Sequence, residues 1–215
     1  MVVISRTSAL LLGLALASGM VDAASYLGLG RVFTANMTGN TVLLGVAAAT
    51  GSGRDAARAA SALAGFCAGV AIGVALVRRD ASTWPHSARR ALWFELVALA
   101  GLLVAWSLHG VGTLRYPLIA ISAVAMGTQS ASVRAAHPGG VATTYVTGTL
   151  TNAIARVIER PRTVGGSGAA LPGGIWLLYA VGAVAGAFAE KAWHAGALAV
   201  PAAIVCVVGA SAVKP

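Results

Sequence analysis

Asp22 lies about fourteen residues into the first apolar run of this chain, which spans residues 8–29. A carboxyl at that depth in lipid costs at least a few kcal/mol to insert, so it must face a partner or a water-filled cavity. A carboxyl in such a place can take up and give back a proton, which is the chemistry of proton-coupled transport. The structural alternative is a carboxyl tied by hydrogen bonds to a helix backbone. Nearby, Asn36, Thr38 and Asn40 open the second apolar run. Gln129 and Ser130 lie deep in the fifth, and Thr144, Thr147, Thr151 and Asn152 recur through the sixth at helical spacing, as one polar stripe. Hydroxyls and a Gly near a helix start can leave backbone amides free for an anion or a polar solute. The same residues could instead join helices by hydrogen bonds, as Thr and Asn do in membrane bundles.

These residues fall into two copies of one motif. The first is GMVDAASYLGLGRVFTANMTGN, from Gly19 to Asn40; the second is GTQSASVRAAHPGGVATTYVTGT, from Gly127 to Thr149. Their Gly starts align at an offset of 108 and their Thr-Gly ends, Thr38 and Thr147, at 109. Asp22 is matched by Ser130, which makes an asymmetric site and argues against a symmetric proton relay. Duplicated, Gly-interrupted apolar segments with polar centres are the sequence mark of a transporter's binding site. Gly65, Gly69 and Gly73 repeat at four-residue spacing in the third run, and Gly182 and Gly186 do so in the seventh. Such ridges let helix backbones approach closely in lipid.

The elements that must carry these residues are membrane helices. Hydrophobic residues make up 58% of the 215, charged residues 10%, and the mean hydropathy is +0.82. Soluble domains carry about 25% charge. We expect an all-α, polytopic transmembrane helix bundle with an internal repeat and broken helices. It would form a single membrane domain over 1–215, with repeat halves at 8–108 and 116–212. Eight apolar runs are expected, at 8–29, 34–50, 56–77, 91–108, 116–134, 141–157, 173–190 and 195–212. Two are short for a spanning helix, 34–50 and 141–157, and each follows a Gly-containing break. They are expected to be short tilted spans or segments that dip in and return.

Trp93 and Trp106 bracket the fourth run, and Trp176 and Trp193 the seventh, at spacings that suit rings at the two headgroup levels. Those two runs are expected to face lipid, and the motif-bearing runs to be central. The cluster Arg78, Arg79, Arg89 and Arg90 argues for a cytoplasmic connection. If 34–50 re-enters, the N-terminus lies on that same side. A repeat displaced by four full spans would be parallel, and one displaced by three would be inverted. Arg6, the run Ala9–Ala17 and Val21-Asp22-Ala23 have the pattern of a signal peptide. Cleavage there would cut the repeated motif, so the segment is expected to stay.

Several function classes find no support. The net charge of +9 is spread between apolar runs as interfacial Arg, with no basic tract for nucleic acid. Cys67 and Cys206 stand alone in apolar runs and are expected to be packed thiols, and no Cys-His metal cluster exists. HExxH, P-loop and GxSxG patterns are absent, so neither an enzyme nor a cofactor is expected. Glu95, one turn into the fourth run, is expected to pair with Arg89 or Arg90.

The segments GMVDAASYL and FTANMTGNTVLLG, with MGTQSA and TTYVTGTLT, resemble the YoaK-type bacterial inner-membrane proteins, a family defined by a region of unknown function. The resemblance covers nearly the whole chain and implies a multi-pass protein of the bacterial inner membrane. An Asn commonly stands in that pattern where this chain has Ser130, which would alter any site built on it. The expected function is a secondary transporter or permease for a small polar solute or ion, proton-coupled through Asp22. The expected partners are the lipid bilayer, the solute and further copies of the chain in a homo-oligomer. The alternative is a non-transporting assembly or accessory subunit with a protein partner.

Overall fold

The Ser5 hydroxyl starts the first helix by accepting from the Ser8 amide at 3.1 Å, which satisfies one of the free N–H groups of the first turn. From there a computed structural model of the chain describes residues 5–78, 86–136, 146–158 and 170–211. Helix α1 runs Arg6–Ala24 and widens into a π turn at Ser25–Gly30. Gly30 (φ +116°) and Arg31 (φ 61°) then reverse the chain. Helix α2 is short, Met37–Ala49. Next come α3 (Gly53–Arg78), α4 (His86–His109), α5 (Arg115–Ala136) and a second short helix, α6 (Val146–Ile158). Helix α7 (Ala170–Trp193) passes through a 3-10 turn at His194–Leu198 into α8 (Ala199–Ser211). The described residues contain no strand. The all-α bundle is as expected, and each apolar run became a helix.

Four stretches are long and apolar enough to cross a membrane: Arg6–Gly30, Gly53–Val77, Ala88–His109 and Ala170–Ser211, the last comprising α7 and α8. Helix α5 is of similar length, but Ser122, Thr128, Gln129 and Ser132 lower its hydropathy. All four of these side chains are buried in the bundle.

The glycine ridges set the helix directions. A Cβ added at Gly182 would lie 2.2 Å from the Leu16 carbonyl oxygen, and one at Gly186 would lie 2.5 Å from the Met20 Cα. Both series ascend together, so α1 and α7 are parallel and in backbone contact. A Cβ at Gly69 would lie 2.2 Å from the Val124 oxygen, and one at Gly73 would lie 3.0 Å from the Thr128 oxygen, so α3 and α5 are parallel too. These two pairs are the most extensive helix contacts of the fold. In contrast, Gly13 faces Ile204 and Val208, and the Arg6 guanidinium bonds to the Ser211 carbonyl, so α8 runs antiparallel to α1.

These contacts repeat. Leu16 and Met20 stand 108 residues before Val124 and Thr128, and Gly69 and Gly73 stand 113 before Gly182 and Gly186. Gly19 meets Tyr179 and Ala183 on α7, while Gly127, 108 residues later, meets Phe66 and Val70 on α3. The unit α1–α2–α3 therefore corresponds to α5–α6–α7. Helix α1 leads from the end holding Arg6 and Ser211 to the end holding Gly30. Helix α5 starts at the Gly30 end, where Arg115 donates to the Leu29 carbonyl at 3.3 Å. The two units run in opposite directions, and the repeat is inverted.

Helix α2 does not cross the bundle. The chain passes Gly30, returns to Asp22 at residues 34–36, and then goes back toward the Gly30 end. There Val46, Ala47 and Thr50 share a cavity with Gly30, Arg31 and Asp55. Among the described residues six helices cross the bundle (α1, α3, α4, α5, α7 and, with its 3-10 turn, α8), and α2 and α6 are about half the length of α3, α4 and α7. The start of α4 lies at the Arg6 end, since Gly209 faces Leu92 and Trp93.

Three expectations are corrected. Trp106 is only 6% exposed, because its ring fills the space beside Gly28, where a Cβ would come within 2.3 Å of it. Trp93, Trp176 and Trp193 remain on the outer surface. Cys67 is exposed and Cys206 half-buried, because both fall off the inward faces of their helices. Glu95 forms no pair with Arg89 or Arg90. Those residues stand about 240° and 140° round the helix from it, at 100° per residue.

Candidate functional site

Asp22 sits at the centre of the polar interior. Its carboxylate accepts the consecutive amides of Thr34 and Ala35, both at 2.7 Å, and that of Asn36 at 3.0 Å. The Tyr179 hydroxyl donates a fourth bond, at 2.5 Å. Three successive backbone N–H groups make a nest for an anion, and four donors fill the lone-pair positions of a carboxylate. In this form Asp22 is 2% exposed and fully engaged. It ties the break after α1 to the start of α2 and, through Tyr179, to α7.

The FTANMTGN segment closes around that tie. Asn36 caps α2, its side chain accepting from the Gly39 amide at 3.3 Å. Asn40 is wholly buried and pairs with the backbone of Phe33, accepting from its N–H at 3.0 Å and donating to its carbonyl at 2.5 Å. The Phe33 ring stacks on Tyr26 at 5.0 Å between centroids. The ring also lies over Gly39, where a Cβ would come within 2.8 Å of it. The Thr-Gly-Asn spacing is thus explained: Gly admits the ring and Asn holds its backbone. Thr38 is exposed.

Beside Asp22, the hydroxyls of Ser25, Thr34 and Ser122 form one buried cluster joining α1, the returning segment and α5. Ser122 donates to Thr34 at 2.9 Å, and Ser25 lies 3.1 Å from Thr34 and 3.4 Å from Ser122. Two turns along α5 from Ser122, the Gln129 amide nitrogen donates to Ser18 at 2.6 Å and to the Leu14 carbonyl at 3.2 Å. Each of these groups is at most 1% exposed. Hydroxyls that accept and donate in turn are suited to binding a small polar solute once the helices part.

The second half is built differently. Ser130 is half-buried. Thr149, which corresponds to Asn40, is buried, while Thr147, Thr151 and Asn152 are exposed on α6. Thr144 lies outside the described residues, as does the break at Pro138–Gly140. The structure brings Asp22, Asn36, Asn40 and Gln129 into one interior around α1 and α5, and it leaves Thr38, Thr147, Thr151 and Asn152 on the half-helix surfaces. Tyr179, Ser25, Thr34, Ser122 and Ser18 belong to that interior and were missed by sequence reasoning. Ser25 and Thr34 stand inside the first motif copy and could have been found there. Tyr179 is a single phenol in an apolar helix and gave no signal.

A cavity of about 260 Å³ opens at the Gly30 end, between the π turn, α2 and the start of α3. Tyr26, Arg31, Thr50 and Asp55 line it, and none of the buried hydroxyl cluster does. No group of three or more His, Cys, Asp or Glu able to hold a metal ion occurs among the described residues.

The family described as "Protein of unknown function (DUF1275)" matches residues 10–211. The chain is also similar to the UPF0700 transmembrane protein YoaK of Bacillus subtilis (strain 168), with 34% identity over 148 residues. That alignment covers 68% of this chain and 65% of the relative, so the chain spans just under two thirds of that protein's length. No solved structure matches the chain.

Proposed function

We propose a permease function for this chain, which belongs to the DUF1275 family of membrane proteins of unknown function. It carries a small polar solute or ion across the bacterial inner membrane as a multi-pass protein, without enzymatic chemistry. The observation that carries this reading is the inverted pair of three-helix units, each with a half-length helix and a tight glycine seam to the other unit. Inverted repeats with broken helices are the architecture of alternating-access transporters, in which one unit rocks against the other about a central site. The hydroxyls of Ser25, Thr34 and Ser122, with Ser18 and Gln129, offer the matching polar centre. Asp22 acts there as a positioning residue, since its acceptor sites are already filled. The closed hydroxyl cluster and the cavity at one end fit a form occluded on both sides.

The basic residues give the orientation. Arg6, Arg78, Arg89, Arg90 and Arg134 lie at the Arg6 end, three of them flanking the connection from α3 to α4. That cluster beside a short connection makes the Arg6 end cytoplasmic.

The test is uptake of labelled solutes into liposomes carrying the pure protein. The candidate solutes come from a thermal-stability screen against small metabolites and ions. A ligand at 100 times its Kd adds about 2.7 kcal/mol of stability. Stabilisation followed by protein-dependent flux supports the permease. A folded protein that binds and moves nothing from a broad panel, yet crosslinks at fixed stoichiometry to another membrane protein, makes it an accessory subunit.

A further inference from the structure

Helix α4 carries a second interior acid. Glu95 is wholly buried, and neither of its carboxyl oxygens has a hydrogen-bond donor. It stands in the inward stripe Ala88, Ala91, Leu92, Leu99 and Leu102, all at most 1% exposed. Spacing of three and four residues puts these side chains on one helix face. A carboxylate left bare in such surroundings costs several kcal/mol, and buried charges are otherwise paired or bound to metals. Asp22 meets that requirement with four donors, and Glu95 meets it with none.

The charged groups around α4 lie elsewhere. Helix α4 packs against α3, α5, α8 and the 3-10 turn. On α5, Arg115 bonds to the Leu29 carbonyl at one end and Arg134 is exposed at the other. On α3, Arg58 pairs with Asp55 at 2.8 Å, at the Gly30 end, and Cys67 is exposed. In the 3-10 turn, His194 lies 3.7 Å from Glu190. Helix α8 offers Cys206, half-buried, at about the level of Glu95, since Gly209 faces Leu92. Among the described residues, none of these groups reaches the Glu95 carboxyl. A metal ion would need several ligands around it, and none of the described metal-ligating residues gather there. The proton is the one cation that needs no cage.

We propose that Glu95 is a proton-binding site of the bundle, exchanging its proton with water when the helices around α4 part. An O–H bond forms on one carboxyl oxygen with a proton from water entering at one end. It breaks by return of that proton to water, and no other reactant is needed. The site stands on its own geometry, and only the coupling of its proton to a solute rests on the permease reading.

Difference infrared spectroscopy on the full chain in lipid, between about pH 5 and about pH 9, reads protonated carboxyls directly. The expected wild-type result is a pH-responsive carboxylic carbonyl band that shifts when glutamate is ¹³C-labelled. The band persists in Asp22→Asn and is lost in Glu95→Gln. A band that remains in folded Glu95→Gln, or that labelled glutamate does not move, overturns the site, as does its absence from the wild type. Labelled glutamate also includes Glu159 and Glu190, so persistence of the band in Glu159→Gln and in Glu190→Gln assigns it to Glu95 even where Glu95→Gln fails to fold, and its loss in either overturns the site. Flux without the Glu95 band retires this proposal and leaves the permease, whereas the band without flux does the reverse.

Discussion

Tyr179 on α7 donates its phenol hydrogen to Asp22 on α1 at 2.5 Å. The corresponding pair in the other half of the inverted repeat is Phe66 and Ser130. One seam between the units is therefore latched by a charge-assisted hydrogen bond to a carboxylate, whereas the other carries a neutral bond, from the Thr128 hydroxyl to the Gly69 carbonyl at 3.1 Å. An asymmetric latch gives the two directions of rocking different energies, which a symmetric pair would not.

Tyr179→Phe removes the latch and little else, because the ring stays. A hydrogen bond to a charged group contributes about 1.5–3 kcal/mol. Thermal unfolding in detergent should show a loss of that size. Asp22→Asn should cost more, since its amide group turns a donor toward the Thr34–Asn36 amides. In the double variant the two losses should not add, and the shortfall measures the latch. Additive losses would show that the pair does not interact.

The glycine seams give a test of the inverted repeat. A Cβ at Gly182 and a Cβ at Gly69 would each lie 2.2 Å from a carbonyl oxygen of the facing helix. Gly182→Ala and Gly69→Ala should each force the helices apart, at about 1–3 kcal/mol. Gly45→Ala, with nothing within 4 Å, should instead gain about 0.5–1 kcal/mol from lost chain freedom. Similar losses at the two seam positions are expected of related contacts. A neutral Gly69→Ala beside a damaging Gly182→Ala would argue that the units are not equivalent.

Much of this was legible before the structure. Apolar runs located the helices, because lipid demands about 20 apolar residues per span. The ridges Gly65–Gly73 and Gly182–Gly186 marked the two seams. The motif ends Thr38-Gly39 and Thr147-Gly148 marked the two half-helices. The inversion was not legible, because it depends on whether 34–50 crosses, and its hydropathy is the same either way. The Asp22 nest was hidden because its donors are backbone amides, which no side-chain pattern reveals. Glu95 was misplaced because nearness in sequence to Arg89 and Arg90 suggested a pair. Only positions three or four apart share a helix face, and those positions are Ala91, Leu92, Ala98 and Leu99.

The six-crossing path makes α2 re-entrant, and cysteine labelling decides this. In a background carrying Cys67→Ala and Cys206→Ala, single cysteines at Thr50→Cys and Gly112→Cys should react with an impermeant reagent from one side of the membrane. Ser5→Cys and Arg89→Cys should react from the other. Thr50 ends α2 and Gly112 joins α4 to α5, so their common side follows from α2 turning back. Labelling of Thr50→Cys together with Ser5→Cys would mean that α2 crosses, and the inversion would fail with it.

Asn40→Ala tests whether the Thr-Gly-Asn segment holds the break or lines a solute path. Asn40 is wholly buried and satisfies both backbone groups of Phe33. Its removal leaves a buried N–H and a buried carbonyl bare, at about 1–3 kcal/mol each. The expected outcome is a lowered Tm together with faster hydrogen exchange at residues 33–36, the segment that feeds Asp22. Ligand affinity, once a solute is known, should fall only as far as that opening predicts. If Asn40→Ala keeps its Tm and exchange protection but loses binding, Asn40 is a solute ligand. The re-entrant segment would then stand on the Asp22 nest alone.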